Sequence, residues 1–263
     1  MHTSVVKKKL QSDQSVICLK TNLHDPAVVE LFGYLGFDCV WLDMEHTPIN
    51  WQSIANQIRA AKMTGMDSMV RVAKGCYSDF IRPLEADATG IMVPHIMSPD
   101  ELEKVVKSVW FHPKGLRPMD SGNSDGPFCM QPVDQYIKYC NEQKFLLVQI
   151  EDREAVDAMD EIVSIDGVDI FFIGPADLSH SYGVPGEFDN PKVQEAVEKL
   201  ANLCGKYGRN WGIPASTESI VRYREMGARF LTAGSDVSAL RRSFKEMRDN
   251  FLEYGFELRE CLM

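Results

Sequence analysis

Short apolar runs alternate along the chain with segments whose apolar positions recur at helical spacing. The runs are VICLKTN (16–22), CVWLDM (39–44), SMVRV (68–72), GIMVPH (90–95), FLLVQIE (145–151), IFFIGP (170–175), NWGIPA (210–215) and FLTAGS (230–235). Their lengths suit strands. Between them lie PAVVELFGYLG, WQSIANQIRAAKMTG, SDFIRPLEADA, PDELEKVVKSVWF, AVDAMDEIVSI, NPKVQEAVEKLANLCGKYG and TESIVRYREMG, followed by a final helix from about 236 to about 261. Most of these open near Pro, Ser, Asp or Thr and several finish at Gly, which is helix-capping chemistry. Eight β-α units in 263 residues predict one α/β domain over 1–263, a (β/α)8 TIM barrel with an extended C-terminal helix. A doubly wound open sheet is the competing arrangement. It places a Gly-rich phosphate loop after the first strand, and TNLHDP is not one.

Two segments depart from the rhythm. Residues 112–143 are too long for a plain connection and carry the turn formers of KGLRPMDSGNSDGPFCMQP before a short helical piece. This excursion is expected near the active site or at a subunit contact. The final helix carries Phe244, Met247, Phe251, Leu252, Phe256 and Leu258, an apolar set that needs a surface to cover, its own barrel or a neighbour's.

Charge narrows the partners. A net charge of −10 disfavours nucleic acid and anionic membrane, because phosphate binding needs a concentrated basic face, and KKK at 7–9 is too short to supply one. No apolar run approaches the roughly 18 residues of a membrane span, and MHTSVVKKKLQSDQ lacks a signal-peptide core, so a soluble cytoplasmic protein is expected. Seven scattered cysteines without a C-x-x-C pair argue against a disulfide framework or a zinc site and predict reduced thiols.

Candidate chemistry concentrates where strands end. In a barrel, polar side chains at the carboxyl ends of strands face the active site. Lys20, Asp43, Glu45, His46, Arg71, His95, Gln149, Glu151, Asp177, Ser216 and Glu218 stand there. Glu151 and Asp177 close two strands joined by a right-handed crossover, so parallel pairing brings their carboxylates together. A salt-bridged structural pair is the competing reading of these two. Two carboxylates without histidine or thiolate suit a hard divalent cation, Mg2+ or Mn2+, with positions left for water and substrate. An open metal suits a chelating 2-oxo acid, and the cation with Arg71 would stabilise an enolate. The turn Gly174-Pro175-Ala176-Asp177 offers free amides to a substrate carboxylate. His46, oriented by Asp43, is the natural base.

The segments GFDCVWLDMEHTPIN (36–50), MVRV (69–72), GIMVPHIMSPDE (90–101), HPKGLR (112–117), LLVQIEDREAV (146–156) and GVDIFFIGPADLS (167–179) together resemble the HpcH/HpaI family. Within it they resemble the class II, metal-dependent pyruvate aldolases of the 4-hydroxy-2-oxoheptanedioate aldolase type. The resemblance covers nearly the whole chain. It implies a metal (Mg2+, Mn2+ or Co2+) held by Glu151 and Asp177, His46 as base with Asp43 behind it, and Arg71 on the enolate oxygen. It also implies Gln149 as a hydrogen-bonding residue and the amides of Ala176 and Asp177 as donors to the pyruvate carboxylate. It further implies a hexamer that exchanges the last helix between neighbours, with an acid at position 85 reaching the catalytic histidine of an adjacent subunit.

The chain departs from that family pattern in four places. LEADA (84–88) replaces L-D-x-G-A, so Glu85 stands for an aspartate and Asp87 for a glycine; Pro118 replaces a glycine; Lys20 stands where an aromatic residue is common; and the loop 118–131 is unusual. All four are expected on the acceptor side or at subunit contacts. The activity implied is cleavage of 4-hydroxy-2-oxo acids to pyruvate and an aldehyde. Oxaloacetate decarboxylation through the same enolate is the alternative, and a non-catalytic barrel that binds 2-oxo acids is a third reading, against which the intact base argues.

Overall fold

The computed structural model describes residues 2–260. Eight parallel strands form a closed barrel in sequence order: β1 Val16–Thr21, β2 Cys39–Asp43, β3 Asp67–Arg71, β4 Gly90–Val93, β5 Phe145–Ile150, β6 Ile170–Ile173, β7 Asn210–Pro214 and β8 Phe230–Ser235. All eight apolar runs became strands. Alternation along each strand divides the apolar residues into two cores. Val16, Cys18, Cys39, Trp41, Met69, Met92, Phe145, Leu147, Ile170, Phe172 and Phe230 fill the barrel interior. Val40, Leu42, Val70, Ile91, Leu146, Val148, Phe171 and Ile213 face outward and pack under the surrounding helices. The inward set continues upward as polar residues, which puts Lys20, Asp43, Arg71 and Gln149 at the mouth.

The opposite end is closed by a feature the periodicity did not show. A short helix, Val5–Gln11, capped by Ser4, lies beneath the strands. Lys7 pairs with Asp169 (2.9 Å) and Lys9 with Asp38 (2.7 Å), while Ser4 Oγ donates to Asp67 (2.7 Å). These acids open or precede strands, so two lysines of KKK bind the barrel's own floor.

The segment 112–143 lies at this amino-terminal end too, between the helix Pro99–Val109 and β5. It is therefore remote from its own chain's mouth, which corrects one of the two expected placements. Arg117 and Asp125 form a buried pair (2.9 Å) that Tyr136 joins through its hydroxyl (3.0 Å). Asp87 also faces this end, and its placement on the acceptor side of the chain's own site is corrected likewise. Its φ of +74° is the left-handed conformation that glycine adopts freely. Its carboxylate accepts from Lys62 and from Lys144, whose side chain is only 2% exposed. Asp87→Ala should therefore cost about 3–5 kcal/mol in urea unfolding, because Lys144 would stay buried without a counter-charge. Asp87→Gly should recover only the roughly 1–2 kcal/mol of backbone strain.

The last helix spans Asp236–Glu253, shorter than expected, since Gly255 turns left-handed (φ +83°) and stops it; position 261 lies outside the described residues. Phe244, Met247, Phe251 and Leu252 on it are exposed. The six described cysteines are free. No helix among the described residues is long and apolar enough to cross a membrane.

Candidate active site

At the mouth, β1, β2 and β3 bring two cations onto one carboxylate. Arg71, 4% exposed, donates from Nε to Asp43 Oδ1 (2.9 Å) and from Nη2 to Oδ2 (2.6 Å). Lys20 Nζ approaches the same Oδ2 at 2.7 Å. Glu45, two residues beyond β2, places Oε2 3.1 Å from Arg71 Nη1. Beneath both cations lies the Trp41 ring, 4.7 Å from the guanidinium carbon and 5.1 Å from Lys20 Nζ. Burial alone would raise the Asp43 pKa, but Arg71 and Lys20 outweigh it and hold the carboxyl well below the usual carboxylate range. The guanidinium is thus fixed in plane.

Across the mouth, β5 and β6 supply acids. Glu151 is 1% exposed; its Oε1 accepts the His95 backbone N–H (3.0 Å) and its Oε2 accepts from Gln149 Nε2 (2.7 Å). Gln149 Oε1 is buried and has no partner among the described residues. Gly174 makes room for this carboxylate, because a Cβ there would collide with Glu151 Oε2. Asp177 stands half-buried in the helix Pro175–Ser181. Burial pushes the Glu151 pKa up to about 7, with the His95 amide opposing and the Asp177 charge adding to the rise. The N–H groups of Ala176 and Asp177 precede the first helical bond, Leu178 N–H to Gly174 O (3.0 Å).

The two histidines differ in how they are held. His95, at φ +52°, bonds Asp152 Oδ2 through Nδ1 (2.9 Å) and turns Nε2 toward Glu45 Oε1 (3.6 Å). Partial burial opposes its protonation, but Asp152, Glu151 and Glu45 outweigh that and raise its pKa. The His46 side chain is 56% exposed, with Nε2 3.6 Å from Glu45 Oε2. Asp43 does not orient this imidazole, contrary to the sequence reading. Its carboxylate is taken by Arg71 and Lys20, and it reaches His46 only through the backbone N–H (3.4 Å).

The model of the HpcH/HpaI aldolase/citrate lyase family matches residues 17–243. The chain belongs to that family. The expected class of enzyme, a carbon–carbon lyase, follows. It is 33% identical over 246 residues to a hydroxypyruvate/pyruvate aldolase of Pseudomonas aeruginosa, covering 93% of this chain and 91% of that one. It is 31% identical to a 5-keto-4-deoxy-D-glucarate aldolase of Escherichia coli, covering 93% and 95%. Among solved structures, the HpcH/HpaI aldolase of Desulfitobacterium hafniense superposes with a TM-score of 0.88 at 27% identity, over 94% of this chain and 96% of that one. The citrate synthase SbnG does so at 0.88 and 28%, over 96% and 99%.

In this HpcH/HpaI chain, His46, Arg71, Asp43, Gln149, Glu151, Gly174, Ala176 and Asp177 all occupy the mouth. Glu85 does not. It ends the helix Tyr77–Glu85 at the amino-terminal side of the barrel, where its carbonyl accepts the Asp125 N–H (3.3 Å). Burial raises its pKa. It stands at the end of the barrel opposite its own chain's mouth. The reading of individual residues left Glu45 and His95 without roles, because their contacts arise from different strands. A turn after an apolar run, as in PHI (94–96), was the signal available for His95.

The donor set fits a hard divalent cation. Burial raises the Glu151 pKa first and the nearby Asp177 charge adds to it, with no arginine or lysine bonded to either acid among the described residues. No group of three or more His, Cys, Asp or Glu side chains gathers as a closed metal cage among those residues. A cation held by two carboxylates would keep positions open for substrate.

Proposed function

We propose that this protein is a divalent-metal-dependent aldolase that cleaves 4-hydroxy-2-oxo acids to pyruvate and an aldehyde. What supports the reading is a guanidinium fixed by Asp43, standing across one barrel mouth from the paired carboxylates Glu151 and Asp177. The relatives compared are named for substrates other than 4-hydroxy-2-oxoheptanedioate, so the proposal is made at the level of the 4-hydroxy-2-oxo acids. A cation held by Glu151 and Asp177, Mg2+ or Mn2+, supplies Lewis acidity toward the 2-oxo group. Arg71 donates to the oxygen on which negative charge grows as the C3–C4 bond breaks. Gln149 and the amides of Ala176 and Asp177 hold the pyruvyl end. His46 takes the proton of the 4-hydroxyl and, once the aldehyde has left, returns a proton to C3.

Incubation with pyruvate in D2O tests the donor half alone. Methyl-proton exchange should vanish on exhaustive chelation and return with Mg2+, Mn2+ or Co2+. Exchange that survives chelation would overturn the metal assignment. Parallel incubations with oxaloacetate and with a 4-hydroxy-2-oxo acid, followed by pyruvate assay, separate decarboxylation from aldol cleavage. Pyruvate formed from neither would leave a binding protein.

The exposed apolar residues of Asp236–Glu253 and the position of Glu85 support an oligomer, a hexamer in this proposal, with the last helix on a neighbouring barrel. Light scattering should return a multiple of the 29.7 kDa chain, and a monomer mass would contradict it.

A further inference from the structure

The proposed reaction uses Arg71, Gln149, Glu151 and Asp177 for the pyruvyl end and leaves the Lys20 ammonium without a task. Lys20 projects inward from β1, which stands across the eight-strand ring from β5. Its ammonium touches Asp43 Oδ2 (2.7 Å) and has no other hydrogen-bond partner among the described residues. That oxygen already accepts from Arg71 Nη2, and its twin accepts from Nε. One negative charge is therefore shared between two cations. Glu45 offers a second carboxylate to Arg71 and none to Lys20. The ammonium is left with spare N–H donors and an incompletely balanced charge, at a side chain that is 24% exposed.

The fold also holds this lysine in place. The β1–β8 register slips between Cys18 and Lys20, so that Lys20 stands opposite Ser235, and Gly234 there takes a φ of +102°. Such irregularities re-aim a side chain at a barrel rim. Directly after Lys20, the buried Asp236 clamps the chain. Its Oδ2 accepts from Thr21 Oγ1 (2.5 Å), and its carboxylate also accepts from the N–H groups of Asn22 (2.9 Å) and Leu23 (2.9 Å). Trp41 supports the ammonium from below. A cation on a rigid strand end, with donors unspent and partial access to solvent, is prepared for an anion.

We propose that Lys20 is a specificity residue that binds a carboxylate on the acceptor side of the substrate, so that the preferred aldehydes carry a carboxylate distal to the carbonyl. The inference rests on the aldolase reading above.

The test is aldol addition of pyruvate to terminal-carboxylate aldehydes of two to four carbons, each paired with a neutral aldehyde of matching length. The wild type should prefer the carboxylate partner of at least one pair by roughly 10- to 100-fold in kcat/KM, the range of a charge-assisted hydrogen bond. In Lys20→Met that ratio should collapse toward one, and Lys20→Arg should restore part of it. A purely structural role through Asp43 would lower both partners in proportion and leave the ratio unchanged, which would overturn the proposal. A wild type without preference in any pair, or a borohydride-trapped pyruvate adduct on Lys20, would overturn it as well. Pyruvate proton exchange in the wild type separates the two levels. Exchange without carboxylate preference defeats the Lys20 proposal alone, whereas absence of exchange defeats the aldolase reading and this inference with it.

Discussion

His46→Ala will slow exchange of the pyruvate methyl protons by about 10²–10⁴-fold, the contribution of a positioned general base. The loop that carries His46 is set by Asp43, whose Oδ1 accepts the Glu45 N–H (3.1 Å) and lies 3.4 Å from the His46 nitrogen. The imidazole is thereby placed at the rim with its own ring open to solvent and to an incoming proton. His95 is the rival base, since it lies among the same acids. Its Nδ1 is engaged by Asp152 at 2.9 Å, and Glu151 and Glu45 stand within 3.7 Å of its ring nitrogens. Carboxylates on both sides favour a charged imidazole, which cannot accept a proton. The variants therefore separate the two. If His46→Ala exchanges at the wild-type rate while His95→Ala does not, the base is His95. Metal affinity should change little in His46→Ala, because the ring makes no contact with Glu151 or Asp177 among the described residues.

The barrel was legible because burial on both faces of a parallel strand leaves an uninterrupted apolar run, and eight of these alternated with helical patterns. The positions of Glu151 and Asp177 at the mouth were legible for the same reason, since Glu151 follows one such run directly and Asp177 stands in the first turn of the helix after the next. What the sequence concealed depends on contacts between distant segments. Nothing in LDMEH shows that Asp43 turns to Arg71 and Lys20 and not to His46; that choice is made by β-sheet register, which sets Asp43 opposite Arg71. KKK at 7–9 read only as too short for a basic face, whereas Lys7 and Lys9 find Asp169 and Asp38 at the feet of two strands. Glu85 and Asp87 were expected on the acceptor side or at subunit contacts because they depart from the family pattern; their segment precedes β4, and a residue just before a barrel strand lies at the end opposite its own chain's site. The early stop of the last helix was encoded by Gly255, a left-handed helix terminator. Its signal was masked by the apolar residues continuing beyond it.

Arg71→Lys should be nearly as damaging as Arg71→Met, with pyruvate exchange down by about 10²–10³-fold in each, the usual cost of losing a charge stabiliser. Charge alone does not explain the arginine. Asp43 grips it through two parallel N–H···O bonds of 2.9 and 2.6 Å, a fork that an ammonium cannot reproduce. A lysine at 71 would share Asp43 with Lys20 as a second point charge and would have no fixed face to present to the enolate oxygen. Some stability will be lost too, since the Asp43 carboxyl is held below its ordinary pKa despite burial by Arg71 first and Lys20 second. That pairing stabilises the fold above the ordinary aspartate pKa of about 4 and is lost as pH falls toward the depressed value. Exchange rates must therefore be compared near neutral pH on protein shown to be folded by circular dichroism. If Arg71→Lys then exchanges within about threefold of the wild type, below the range for a charge stabiliser, Arg71 closes the barrel mouth structurally. The enolate would then owe its stabilisation to the opposite side of the mouth, where Glu151, Asp177 and Gln149 stand.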